Sequence, residues 1–138
     1  MTASTASRES KRKDGEIIIY PMAATKIPKG CMVNIDNYGY AVNASDRLGE
    51  IFAGVAYETV DNSYGSAGDM EIRVQTTGTF VFVDGGGNGR QSDVGSSFNV
   101  VDNQTVTDAL TVATIRAGIA VESIDPTQVR IRIDRFAS

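Results

Sequence analysis

A chain of 138 residues with 41% hydrophobic and 22% charged side chains has the size and balance of one globular domain. It contains no histidine and one cysteine, Cys31, which excludes Ser-His-Asp and Cys-His catalysis, histidine-ligated metals and an internal disulfide. The formal net charge of −4 is uneven: residues 1–16 carry Arg8, Lys11, Arg12 and Lys13 against Glu9, Asp14 and Glu16, and the rest of the chain is acidic, a poor footprint for direct nucleic-acid binding.

In chain order, residues 1–15 (MTASTASRESKRKDG) are small, polar and charged, without apolar periodicity. Such a segment cannot bury enough surface to offset its ordering entropy, so a flexible arm is expected. No apolar signal-peptide core follows it, so export by that route is not expected. No apolar run is long enough to cross a membrane as a helix, so no membrane partner is expected.

Residues 16–138 read as a single all-β domain. EIIIYPM (16–22) is a short apolar run closed by Pro21. EIRVQ (71–75) alternates Ile72 and Val74 with polar residues, as does VRIRIDRF (129–136) with Val129, Ile131 and Ile133; period two marks a half-buried strand. TFVFV (79–83) is continuously apolar, the pattern of a strand covered on both faces. Glycine, Asn and Asp punctuate the chain at the spacing of many short strands. Residues 107–115 are the only stretch with room for a short helix.

An internal repeat organises these strands. AGVAYETVD (53–61) recurs as AGIAVESID (117–125), with five identities in nine positions. Upstream, KGCMVNIDN (29–37) faces VGSSFNVVDN (94–103) with one inserted residue; downstream, EIRV (71–74) faces RIRI (130–133). The expected architecture is a small β-barrel or sandwich of two duplicated modules, about 26–83 and 94–136, joined by a glycine-rich connection over 84–93. Gly54 and Gly118 precede the small residues Ala56 and Ala120, a pattern that suits close approach of a second backbone or a barrel corner.

The connection, DGGGNGRQSD, raises the question of phosphate binding. A dinucleotide fingerprint needs a third glycine where Arg90 stands, and a P-loop needs Gly-Lys-Ser/Thr and a following helix; the sequence has none of these. Gly85, Gly86, Gly87, Asn88, Gly89 and Arg90 are therefore expected to form an exposed loop. DNSYGSAGD (61–69) resembles a calcium loop until Ile72 stands where the bidentate Glu belongs. Asp36, Asp61, Asp102 and Asp125, at strand ends, are expected to cap turns through their own backbone. Neither an enzyme activity nor a cofactor or metal is expected.

AATKIPKGCMVNIDNYGYAVNA, FAGVAYETVDNS, EIRVQTTGTFVF, VGSSFNVVDNQTV and AGIAVESIDPTQVRIRI, spanning about residues 16–135, resemble the capsid decoration (head cement) proteins of tailed bacteriophages. The matching positions are Gly54-Val55-Ala56, Val74 to Gly78 and Gly95 to Val106. The resemblance implies a structural virion protein on the outer capsid surface, present in the host cytoplasm before assembly. Its partners would be the major capsid protein and copies of itself, as a homotrimer, and it would stabilise the expanded head against packaged DNA. On that reading Arg8, Lys11, Arg12 and Lys13 pair with acidic capsid groups. A second reading of the same pattern is a virion-surface adhesion or carbohydrate-binding module, with Tyr38, Tyr40, Tyr57 and Tyr64 as its aromatics.

Overall fold

The computed structural model describes residues 16–86 and 90–134. Arg8, Lys11, Arg12, Lys13, Gly87, Asn88 and Gly89 lie outside them, as do Arg135 and Phe136.

The protein is all-β. Among the described residues twelve strands follow in order: β1 (Ile17–Pro21), β2 (Lys26–Ile27), β3 (Met32–Ile35), β4 (Ala41–Asn43), β5 (Ile51–Ala56), β6 (Val60–Asp61), β7 (Glu71–Gln75), β8 (Thr77–Asp84), β9 (Ser97–Val100), β10 (Thr105–Thr107), β11 (Arg116–Asp125) and β12 (Gln128–Asp134). Residues 107–115 hold no helix. The one helical element among the described residues is a 3-10 turn, Gln91–Asp93. β2 and β6 form a small ribbon of their own.

The larger sheets have one topology twice. The first runs β1-β7-β5-β3-β4, and the second is a closed barrel in the order β10-β8-β12-β11-β9. Placing β1, β3, β4, β5 and β7 on β8, β9, β10, β11 and β12 makes the two orders identical. Hydrogen bonds agree in detail: Gly30 N donates to Ala56 O at 2.9 Å and Gly95 N to Ala120 O at 2.8 Å. Ala56 N returns to Cys31 O at 2.9 Å, as Ala120 N does to Ser96 O at 3.0 Å. The second barrel closes through parallel pairing of β8 with β10, and the first closes at the matching point through one parallel bridge, Met22 to Ala41. The seam is shorter in the first because Val83 N donates to Gln104 O, whereas its counterpart Pro21 has no N–H to give.

Strand pairing therefore draws the two modules differently from the sequence reading. β8 pairs with β12 and β10, so residues 77–84 head the second barrel instead of ending the first. The stretch 84–93 lies between β8 and β9, inside the second unit. Val81 and Val83 are exposed while Phe82 is buried, so β8 is covered on one face only.

The Ala-Gly repeat is explained by a shared β-bulge. Val33 faces Gly54 and Asn34 faces Phe52, which leaves Ala53 as the extra residue. Phe98 faces Gly118 and Asn99 faces Arg116, which leaves Ala117. The bulge bends the strand where the barrel turns. A Cβ on Gly54 would strike the carbonyl oxygen of Gln75, and one on Gly118 that of Arg132. These are equivalent atoms on the neighbouring strand.

Seven interior positions match across the duplication. Val33, Ile35, Ala41, Ala53, Ala56, Ile72 and Val74 fill the first barrel, and Phe98, Val100, Val106, Ala117, Ala120, Val129 and Ile131 fill the second. The second core continues into the first unit through Met32, Ala44, Phe52 and Val55. These lie on the outer face of the first barrel, so the two barrels share one hydrophobic body.

Candidate docking surfaces

The carboxylates named from sequence are used as turn caps. Asp36 Oδ1 accepts the N–H groups of Tyr38 (2.9 Å) and Tyr40 (3.0 Å). Asp61 accepts Ser63 N at 3.0 Å, Asp102 accepts Gln104 N at 2.9 Å and Asp125 accepts Thr127 N at 2.8 Å. Hydrogen bonds from Ser63 and Thr127 hold the Asp61 and Asp125 carboxyls below the ordinary range, because a bond donated to the charged form favours it. Among the described residues no three His, Cys, Asp or Glu side chains are grouped to hold a metal. No helix among them is long and apolar enough to cross a membrane.

The amides at the start of the glycine loop are already engaged. Gly85 N donates to Val106 O at 2.7 Å and Gly86 N to Asp84 Oδ1 at 2.9 Å. Arg90 lies beside Asp93, with Nε 3.9 Å from Oδ2. Cys31 is half-buried, and burial, followed by the nearby Asp102 charge, raises its thiol above the usual range. A thiol kept protonated is a weak nucleophile.

Arginines on the strand faces form a repeated ion pair. Arg73 Nε lies 2.9 Å from Glu58 Oε2, and Arg130 Nε lies 3.2 Å from Glu122 Oε2. Glu58 and Glu122 occupy the same place in the AGVAYETVD and AGIAVESID repeat. The pair on Glu58 also places the Arg73 guanidinium 5.1 Å from the centroid of the Tyr57 ring. Tyr57 is thereby partly covered by its own chain, with 43% of it still exposed.

The loop over 57–70 distinguishes the two barrels. In the second barrel β11 and β12 are joined by a tight turn, whereas the first spends a long connection between β5 and β7. That connection is internally fastened. The Asn62 side chain is buried and donates to Ala23 O at 3.1 Å and Ser66 O at 3.0 Å. Asn62 N donates to Thr25 O at 3.0 Å, Gly68 N to Met22 O at 2.8 Å and Ser66 N to Asp69 Oδ2 at 2.8 Å. On this fixed loop Tyr64 is 98% exposed. The Tyr40 ring lies under the loop near Gly68, and Tyr38 stands on the β3–β4 hairpin.

A second rigid, apolar corner joins the loops after β4 and β10. Asp46 accepts Val112 N at 2.9 Å and Ala113 N at 2.8 Å. Thr114 sits at φ 51°, unusual for a β-branched residue, and is held there by its hydroxyl on Thr111 O at 2.9 Å. Leu48 (68% exposed), Leu110 (85%) and Val112 (78%) project from these loops. Exposed aliphatics on a loop fixed by hydrogen bonds are ready to bind without further ordering cost.

The Asp46 clasp is pH-dependent. The N–H of Ala113, helped by Val112 and the Thr111 side chain, lowers its pKa. A depressed folded-state pKa contributes stability that is fully present above the unfolded value, about 3.9, and is lost as pH falls through the lowered one. Asp46→Asn is expected to flatten the acid limb of a urea-unfolding series, and amide exchange at Val112 and Ala113 is expected to accelerate in the wild type below that pH. An acid limb unchanged by the substitution would contradict this.

Comparison of the chain with known protein families, characterised proteins and solved structures finds no match.

Proposed function

We propose that the protein is a non-enzymatic structural part of a virion. On this reading it docks on the outer surface of an expanded phage head, bound to the major capsid protein, and reinforces the shell as the resemblance implies. The observation that carries the reading is the Tyr64 loop. It is an addition to one of two otherwise matching barrels, it is fastened by buried Asn62, and it holds a whole aromatic ring in solvent. Tyrosine on a rigid loop is a typical anchor of a protein–protein contact. Reinforcement needs no strong single contact, because copies set by the symmetry of the shell act together and multiply weak ones. Homotrimeric self-association belongs to the same proposal.

The test is co-sedimentation of the purified chain with expanded and with unexpanded heads. Binding to expanded heads is expected. Tyr64→Ala is expected to weaken it by roughly thirty-fold per site, the effect of a hot-spot truncation of about 2 kcal/mol. Deleting residues 2–14, which removes Arg8, Lys11, Arg12 and Lys13, is expected to lower occupancy and its salt sensitivity while leaving the fold intact. Binding to glycans without binding to heads would favour the carbohydrate-module reading instead.

A further inference from the structure

β8 is paired along one side and largely open along the other. β12 runs beside it from Thr77 to Val83, whereas β10 reaches only Val83 and Asp84. Backbone groups of successive residues in a strand point to opposite sides. Asp84 N donates to Thr127 O, on the β12 side, and Val83 N donates to Gln104 O, on the β10 side. Thr79 and Val81, in step with Val83, therefore direct their N–H and C=O groups away from β12. No backbone group among the described residues pairs with them there, and both residues are exposed. An open edge of this kind is ordinarily blunted by charge, proline or a bulge. β8 has no charged residue or proline ahead of Asp84, and its register with β12 is unbroken.

The outer face beside this edge suits one kind of incoming strand. Arg132 stands directly across from Thr79, with Ile119 beyond it on β11, and Arg130 stands across from Val81. Arg130 is held by Glu122. Arg132 is exposed and makes no ion pair among the described residues. Val81 and Ile119 are exposed aliphatics. A strand added at β8 would lie two strand spacings from β12, about 10 Å, with only the short Thr79 side chain between. An arginine and a carboxylate side chain together span that distance. The first barrel lacks this combination. Gln75 occupies the position that matches Arg132, and Arg73 is taken by Glu58.

We propose that the open edge of β8 docks an extended segment of another protein, which adds a strand beside Thr79 and Val81. The segment carries a carboxylate level with Thr79, paired with Arg132, and an aliphatic residue beside Val81. Main-chain hydrogen bonds hold it, and the two side chains select it. This edge is separate from the Tyr64 loop and takes such a segment whether or not its owner is a shell protein.

The test titrates the purified full chain, without heads, with a short synthetic peptide in which Val and Glu alternate with Thr. Failure here and failure of shell binding are thus separate results. The amide NMR signals of Thr79 and Val81 are expected to shift, and their exchange with solvent to slow. A control peptide with Lys in place of Glu is expected to bind more weakly by roughly five-fold, the upper range for an exposed ion pair. Arg132→Glu is expected to reverse that preference. Val81→Pro removes the outward N–H without breaking the β12 ladder, and is expected to abolish binding with little change in thermal unfolding. Thr79→Pro serves in its place if Val81→Pro does not fold. Unmoved Thr79 and Val81 amides with both peptides, an unchanged preference in Arg132→Glu, or full binding by a folded proline variant would each overturn the proposal.

Discussion

Phe98→Ala is expected to destabilise the protein by about 3–5 kcal/mol, the usual loss for truncating a buried phenylalanine. Phe98 is fully buried and is among the largest side chains of the core. Its ring sits in the cluster that fills the second barrel and continues into Met32, Ala44, Phe52 and Val55 of the first. The cavity would therefore loosen the joint between the barrels as well as one interior. For a chain of this length the loss corresponds to a fall in Tm of roughly 10–20 °C. Val33→Ala, at the matching position of the first barrel, removes less volume from a separate cluster and should cost less. Equal losses at the two sites in chemical unfolding would show that the barrels do not differ in this way.

Gly118→Ala is expected to cost about 3 kcal/mol, the upper range for forcing extra volume into a packed site. The added methyl would drive into the Arg132 carbonyl, which belongs to the paired strand β12 and cannot rotate away. Gly54→Ala meets the Gln75 carbonyl in the same manner and starts from φ +152°, so it should be at least as harmful. Gly95→Ala separates the causes: Gly95 has φ +93° but open space around its Cβ position, which leaves only a backbone cost of about 1–2 kcal/mol. The urea midpoints should rank Gly95→Ala above both others. If Gly95→Ala were as damaging as Gly118→Ala, close approach would not be the reason for the Ala-Gly repeat.

The duplication was legible because its strongest signal, Ala-Gly followed by a small residue, answers to a steric demand that both barrels share. The turn-capping aspartates were legible for a similar reason, since the geometry is local to a few residues. Two features were not. The match of EIRV with RIRI is displaced by two residues: Ala56 pairs with Val74 and Ala120 with Ile131, which sets Arg73 against Arg130. Alternation has period two, so a slip of two leaves every side chain on its proper face and nothing in the pattern opposes it. The second feature is the kinship of β1 with β8. IIIYP and TGTFVFVD share no motif, and a strand at a barrel seam is specified by backbone hydrogen bonds that carry no side-chain signature. The insertion in the alignment of 29–37 with 94–103 has the same origin. Asp36 N bonds Tyr40 O and Val101 N bonds Thr105 O, so the hairpins match residue for residue and only the capping Asp has shifted. The Tyr64 loop was visible as a turn-rich stretch, but its rigidity depends on Asn62 reaching Ala23, 39 residues earlier.

Pro21 gives the molecule a weak side. The second barrel is sealed by two paired positions between β8 and β10, while the first is latched by Met22 and Ala41 alone. Local opening begins where fewest backbone bonds must break together. The first barrel can therefore unlatch at β1 while the second stays shut. Glu16, whose carbonyl is held by Thr76 N at 2.8 Å, sits at the outer end of that strand. Tension applied to the chain ahead of β1 would load Glu16 and the five paired positions of β1 with β7 first, and would reach the Met22–Ala41 latch last.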